Sequence, residues 1–202
     1  MHPGLANMNF RRISVFCGSN LGCKPVYRQT AESLGLLLAH RKIELVYGGG
    51  NIGLMGVLAD SVLAAGGRAI GVIPESLMQK EVGHAGLTEL RIVKSMHERK
   101  ALMSDLSDGF IAMPGGFGTF EEFCEVVTWS QLGIQSKPCG LLNVEGYYDP
   151  LLELFDHAVR EGFLRDENRG LVLEDRDAKR LLAKMAAFVP AAEDKWIWKV
   201  ER

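Results

Sequence analysis

The sequence predicts an α/β protein whose core is one doubly wound parallel sheet with helices on both faces. Three observations predict it. Short apolar runs alternate with helical patterns throughout the 202 residues. Several of those runs are too continuously apolar for strands with one wet face, so they read as strands buried on both faces. Glycine-rich turns follow the strand ends, where ligands of open parallel sheets bind. The pattern is Rossmann-like.

Taken in order, Ile13 to Phe16, Ile43 to Tyr47, Ala69 to Ile73, Arg91 to Val93, Phe110 to Met113 and Gly140 to Leu142 read as strands. Between them Pro25 to His40, Gly53 to Ala65, Met96 to Leu106, Thr119 to Leu132 and Tyr147 to Glu161 carry helical spacing or good helix formers. Leu171 to Leu173 and Asp177 to Phe188 add a last strand and helix. No linker, repeat or low-complexity segment interrupts the series, so residues 1–202 read as one domain, with residues 1–10 flexible and 195–202 a tail. Trp196 and Trp198 alternate in that tail and are expected to dock on the chain's own core or on a partner.

A composition of 47% hydrophobic and 24% charged residues is that of a soluble protein with a well-buried core. The formal charge of -2 offers no broad attraction for nucleic acid or an anionic membrane, which leaves small molecules and copies of itself as partners. Residues 1–10 lack the basic and apolar regions of a secretory signal, and no apolar run reaches membrane-spanning length. Cys17, Cys23, Cys124 and Cys139 form no CxxC pair and the five histidines have no ligand spacing, so reduced cysteines in a cytoplasmic protein without metal or cofactor are expected.

In a parallel sheet the turns after the first, second and fifth strands open on one rim. They read Cys17-Gly18-Ser19-Asn20, then Gly48-Gly49-Gly50-Asn51-Ile52-Gly53, then Pro114-Gly115-Gly116-Phe117-Gly118-Thr119-Phe120-Glu121-Glu122. The last runs from a strand into a helix, and a helix N-terminus with a glycine turn lets an anion approach free N–H groups. It reads as a phosphate cradle. Gly48, Gly50 and Gly53 satisfy GxGxxG, a weak match at the second turn rather than the first. Two glycine turns on one rim fit a mononucleotide better than a dinucleotide; glycines serving only tight turns and close packing are the bland alternative.

Ser95 is expected to cap the helix after the fourth strand, with Arg99 and Lys100 about one turn inside it. By position alone these two are solvated charges on an exposed face, and His97 a surface residue. Thr119-x-x-Glu122 fits a capping box, which would explain Glu122 structurally but leaves Glu121, its neighbour in the first helical turn, unexplained.

The run SMHERKALMSDLSDGFIAMPGGFGTFEEFCEVVTWSQLGIQSKPCGLLNVEGYYDPLL, with YGGGNIGLMG upstream, strongly resembles the Lonely Guy family of cytokinin riboside 5'-monophosphate phosphoribohydrolases. The likeness extends from about Ile13 to Phe163, and its joint motifs, the Arg99-Lys100 pair and PGGxGTxxE ending at Glu122, are specific together. Members have often been labelled lysine decarboxylases, but no lysine here is placed for pyridoxal phosphate. The resemblance implies hydrolysis of the N-glycosidic bond of AMP or an N6-modified adenosine monophosphate, releasing free base and ribose 5-phosphate. It also implies a homodimer with active sites near the subunit interface. Carried over by residue, it makes Arg99 and Glu122 the catalytic pair. It places substrate contacts at Glu81, Arg99, Lys100, the segment Gly115, Gly116, Phe117, Gly118, Thr119, Phe120 and Glu121, and Thr128. Ser19 and the turn of Gly48, Gly49, Gly50, Asn51 and Gly53 would complete the nucleotide site.

Cleaving a ribosyl–purine bond builds oxocarbenium character on the sugar, which a carboxylate stabilises while it orients water. Adjacent helical residues point about 100° apart, so Glu121 and Glu122 cannot serve as a facing acid and base. Glu122 is assigned to water or the sugar cation and Glu121 to ribose hydroxyls. Arg99 acts electrostatically, because a guanidinium does not give up its proton. The competing expectation is a carrier of a nucleotide or of a phosphorylated cofactor of the molybdenum cofactor type, which needs the glycines but no reactive carboxylate. An NAD-dependent enzyme is disfavoured by the misplaced GxGxxG.

Overall fold

The computed structural model describes residues 9–78 and 83–190. In chain order the elements are β1 (Arg12–Phe16), α1 (Pro25–His40), β2 (Glu44–Tyr47), α2 (Gly53–Ala64), β3 (Ala69–Pro74), β4 (Glu89–Val93), α3 (Met96–Leu106), β5 (Gly109–Ala112), α4 (Phe117–Gln131), β6 (Cys139–Leu142), α5 (Asp149–Arg160), α6 (Asp166–Arg169), β7 (Val172–Asp175) and α7 (Ala178–Ala186). Two single 3₁₀ turns, Glu75–Leu77 and Val144–Gly146, follow β3 and β6. The tail tryptophans Trp196 and Trp198 lie outside the described residues, as does Glu81.

The seven strands of the described residues join one parallel sheet in the order β4-β3-β2-β1-β5-β6-β7. The doubly wound expectation holds because successive side chains of each central strand feed opposite layers. In β1, Ile13 and Val15 face the layer of α1, α2 and α7, whereas Phe16 faces α3, α4 and α5. In β5, Ile111 joins the first layer, and Phe110 and Ala112 the second. Strands with apolar residues at both phases have no wet face, and this alternation of burial is what continuous apolar runs predict.

The chain winds outward from β1 to β4, returns to the middle at β5, and winds outward again to β7. The strand order therefore reverses between β1 and β5, and the turns after these strands diverge to leave a crevice at the carboxyl edge. Gly18 N–H bridges them by donating to Pro114 O at 3.0 Å.

Candidate active site

The β1 turn is the hub of the rim. Its Gly18 binds the β5 turn as described, and Gly18 O accepts from Leu54 N–H at 3.0 Å, drawing the start of α2 against it.

Arg99 and Glu122 converge over the ends of adjacent strands. Ser95 caps α3 as expected, its Oγ accepting from Glu98 N–H at 3.1 Å, and Glu98 reaches back to Lys94 N–H at 2.8 Å. That start turns Arg99 inward, so it is 5% exposed and not the solvated charge its position alone predicts. The reason is Gly48. Arg99 Nη2 donates to Gly48 O at 3.1 Å, and a Cβ on Gly48 would stand 2.1 Å from that nitrogen. Glu122 is half-buried. Burial pushes the Cys17 thiol far above its ordinary pKa and the Glu122 charge adds to the shift, which sets that carboxylate beside the end of β1. Cys17 therefore stays protonated and is no nucleophile.

Lys100 ties the two helices together. Its Nζ donates to Glu121 Oε1 at 2.6 Å and to Glu125 Oε1 at 2.9 Å. Desolvation pushes its pKa down, but the two carboxylates outweigh it and the net shift is upward. Glu121, expected at the ribose, is thus held by Lys100, with Glu125 completing a clamp that sequence reasoning did not foresee.

Helix α4 begins two residues earlier than predicted, with Gly116 as its N-cap residue and no side chain capping it. Thr119 is therefore the third helical residue and Glu122 the sixth, so the expected capping box does not form. Glu121 and Glu122 stand in the second turn, clear of the helix end. Thr119 is buried because its side chain folds back beneath Gly115, where a Cβ would meet Thr119 Oγ1 at 2.1 Å. Gly116 and Gly118 differ: no described atom lies within 4 Å of where a Cβ would stand. Both are exposed, as is Phe117, so the first N–H groups of α4 face an open rim.

The β2 turn is the reverse. Gly48, Gly49 and Gly50 are buried; Gly49 O accepts from His84 N–H at 3.1 Å and Gly50 pairs with Gly83. Within one chain these glycines hold protein, and Asn51 of this turn and Ser19 and Asn20 of the β1 turn are exposed. Gly53 is half-buried at the start of α2. Thr128 lies roughly 16 Å along α4 from Phe117, with its hydroxyl donating to Cys124 O at 2.7 Å. One chain does not bring it to the rim.

Sequence reasoning missed Tyr147 and Tyr148, which it counted inside a helix. They precede α5 and reach the β5 turn: Tyr147 Oη donates to Gly115 O at 2.5 Å and Tyr148 Oη to Met113 O at 2.6 Å. Burial raises the Tyr148 phenol well above its ordinary pKa, so it remains a donor. Phe120 packs its ring against both. A cleft of about 150 Å³ lies between Ser19, Leu21, Tyr27, Leu54, Pro114 and Tyr147. Among the described residues no group of His, Cys, Asp and Glu has metal-binding geometry, and no helix is long and apolar enough to cross a membrane.

The family model described as "Possible lysine decarboxylase" matches residues 55–185. The chain is 52% identical over 185 residues to a protein of Oryza sativa subsp. japonica named "Probable cytokinin riboside 5'-monophosphate phosphoribohydrolase LOGL1", covering 92% of this chain and 83% of that one. It is 49% identical over 196 residues to the cytokinin riboside 5'-monophosphate phosphoribohydrolase LOG1 of Arabidopsis thaliana, covering 96% and 92%. Identity of this order over nearly the whole chain decides the matter. The chain belongs to the LOG family. The LOG resemblance read from the Arg99-Lys100 pair and the PGGxGTxxE turn therefore holds. The Moco carrier protein of Chlamydomonas reinhardtii superposes with a TM-score of 0.62 at 22% identity, covering 86% of this chain and 98% of that one. That likeness shows the fold alone.

Proposed function

We propose that the protein hydrolyses the N-glycosidic bond of N6-modified adenosine 5'-monophosphates and of AMP, releasing the free base and ribose 5-phosphate. One observation carries the reading: the uncapped N-terminus of α4, open at Gly116 and Gly118, lies on the same rim as the half-buried Glu122 and the buried Arg99. The 5'-phosphate sits on the N–H groups of Gly116, Phe117 and Gly118, where the helix dipole favours an anion. With the phosphate on the helix axis, the ribose extends to the side on which Glu122 stands. Its carboxylate steadies the developing sugar cation and orients the attacking water. Arg99 stays charged and sets the field at the rim. Lys100 and Glu121 act as one unit beside the ribose, so their contact with substrate is shared.

The protein works as a homodimer. Leu154 on α5 is 57% exposed, and Leu132 and Ile134, at and beyond the end of α4 on the same face of the sheet, are 45% and 66% exposed. A second copy covering that face would also bring its own residues near Thr128. Four free cysteines, two of them exposed, support a reducing, cytoplasmic setting.

The test is direct. Purified protein is incubated with N6-isopentenyl-AMP, AMP and the two matching nucleosides, and free base is measured by chromatography. Release from the monophosphates alone is expected; no release, or equal release from the nucleosides, overturns the reading. Light scattering at micromolar concentration is expected to give twice the chain mass, and a monomeric mass refutes the dimer.

A further inference from the structure

We infer that Tyr147 is a positioning residue that locks the Gly115–Gly116 peptide with its N–H toward the phosphate site. The inference rests on the reading of α4 as the phosphate cradle. A peptide with glycine on both sides meets little steric resistance to flipping, because neither residue has a Cβ to oppose it. In one orientation the cradle presents an N–H to an anion; in the other it presents a carbonyl oxygen, which repels it. The carbonyl and N–H of a trans peptide point in opposite directions, so whatever holds Gly115 O also aims Gly116 N–H.

The structure assigns a donor to each of three successive carbonyls in this turn. Met113 O accepts from Tyr148 Oη at 2.6 Å, Pro114 O from Gly18 N–H at 3.0 Å, and Gly115 O from Tyr147 Oη at 2.5 Å. Those oxygens are thereby turned into the protein. The tyrosines are aimed by a sharp reversal after β6, in which Glu145 has φ 53° and Gly146 φ 71°. Asn143 braces it, accepting from Tyr148 N–H at 2.8 Å and donating to Asp149 at 2.6 Å. The Tyr147 ring has little freedom, with Tyr148 edge-on at 5.1 Å, Tyr27 edge-on at 6.0 Å and Phe120 stacked at 6.5 Å.

The two hydroxyls differ in consequence. Met113 O belongs to the peptide before Pro114, which has no N–H to aim. Tyr148 therefore supports the turn only as structure, whereas Tyr147 acts on a donor of the cradle.

Tyr147→Phe keeps the ring and removes the hydroxyl; Tyr148→Phe is its control. Ribose 5-phosphate binding is followed by calorimetry, together with KM and kcat on N6-isopentenyl-AMP and thermal melting. For Tyr147→Phe, Kd and KM are expected to rise about tenfold, the scale of one hydrogen bond, with kcat and melting little changed. For Tyr148→Phe, melting falls while Kd and KM change less than about twofold. A Tyr147→Phe protein with unaltered Kd for ribose 5-phosphate overturns the inference, whatever its melting temperature, as does failure of the unaltered protein to bind ribose 5-phosphate. An unaltered protein that binds ribose 5-phosphate but releases no base defeats the enzymatic reading alone and leaves the Kd comparison to decide the role of Tyr147.

Discussion

Helices α2 and α4 both start from glycine turns at the carboxyl edge of the same sheet, yet their N-termini have opposite fates. At α2 the protein occupies the end: Leu54 N–H is bound by Gly18 O, Gly50 pairs with Gly83, and Gly48 makes room for the Arg99 guanidinium. At α4 the end is left open, and Gly116 and Gly118 face space that no described atom fills. The glycines of α2 are required by the protein's own packing. Gly116 and Gly118 at α4 are not, and in the proposed function they make room for the phosphate. One residue type in one topological position thus serves the scaffold in one turn and, in the proposed function, the ligand in the other.

The comparison breaks most severely at Gly48. Gly48→Ala drives a methyl into Arg99 Nη2, and both stability and rate are expected to suffer. Urea unfolding should reveal a loss of about 1–3 kcal/mol, the usual cost of overpacking, and kcat should fall by more than about 100-fold as a charged stabiliser is displaced. Full activity in this variant would mean that Arg99 does not depend on the β2 turn. Next in size is Glu122→Gln. Its kcat should fall about 100-fold; a variant keeping more than half its rate has no catalytic Glu122. Gly118→Ala sharpens the contrast because its two effects oppose each other. Alanine favours the helix by up to about 1 kcal/mol, whereas its methyl intrudes on the phosphate, so stability rises as KM increases. If KM stays constant, the open end of α4 is not the cradle.

Asp175, at the end of β7 and away from both turns, should show the smallest effect on rate. Arg180 first, then Asp177 N–H and Lys184, hold its carboxyl below the ordinary aspartate range against some desolvation. A pKa lower in the folded than in the unfolded chain gives stability that is fully present above about pH 4 and is lost as pH falls through the folded value. Asp175→Asn should be less stable than the parent at neutral pH, converge with it in acid, and leave kcat unchanged. A shifted kcat would tie the β7 end to the site.

Much of this was legible in the sequence. Helices α1 and α3 agree with their predicted limits, Pro25 to His40 and Met96 to Leu106, because Pro25 and Ser95 are strong start signals. The start of α4 was misread because Phe117-Gly118 has poor helix propensity and Thr119 is a good cap; burial of Thr119 beneath Gly115 overrode both. Arg99 was legible only through the family resemblance. A charge near a helix start carries no sign of facing inward until Gly48, some fifty residues earlier, is known to face it. Tyr147 and Tyr148 were hidden by being counted as helix, although Gly146 just before them marked a turn. The Lys100 clamp on Glu121 and Glu125 depends on how two helices lie together, which their separate sequences do not encode in any local pattern.

The strand order has a consequence for synthesis. β1 lies at the centre of the sheet, but its neighbour on one side, β5, is made about a hundred residues later, so non-local pairing governs the assembly of the core. A nascent chain that has formed β1 to β4 carries a central strand with one bare edge, of the kind that pairs with other chains. The crevice between the β1 and β5 turns cannot exist until that edge is filled. Ribosome-bound fragments ending before Gly109 should therefore depend on chaperones, and the ability to bind a nucleotide should arise only once β5 has emerged and docked.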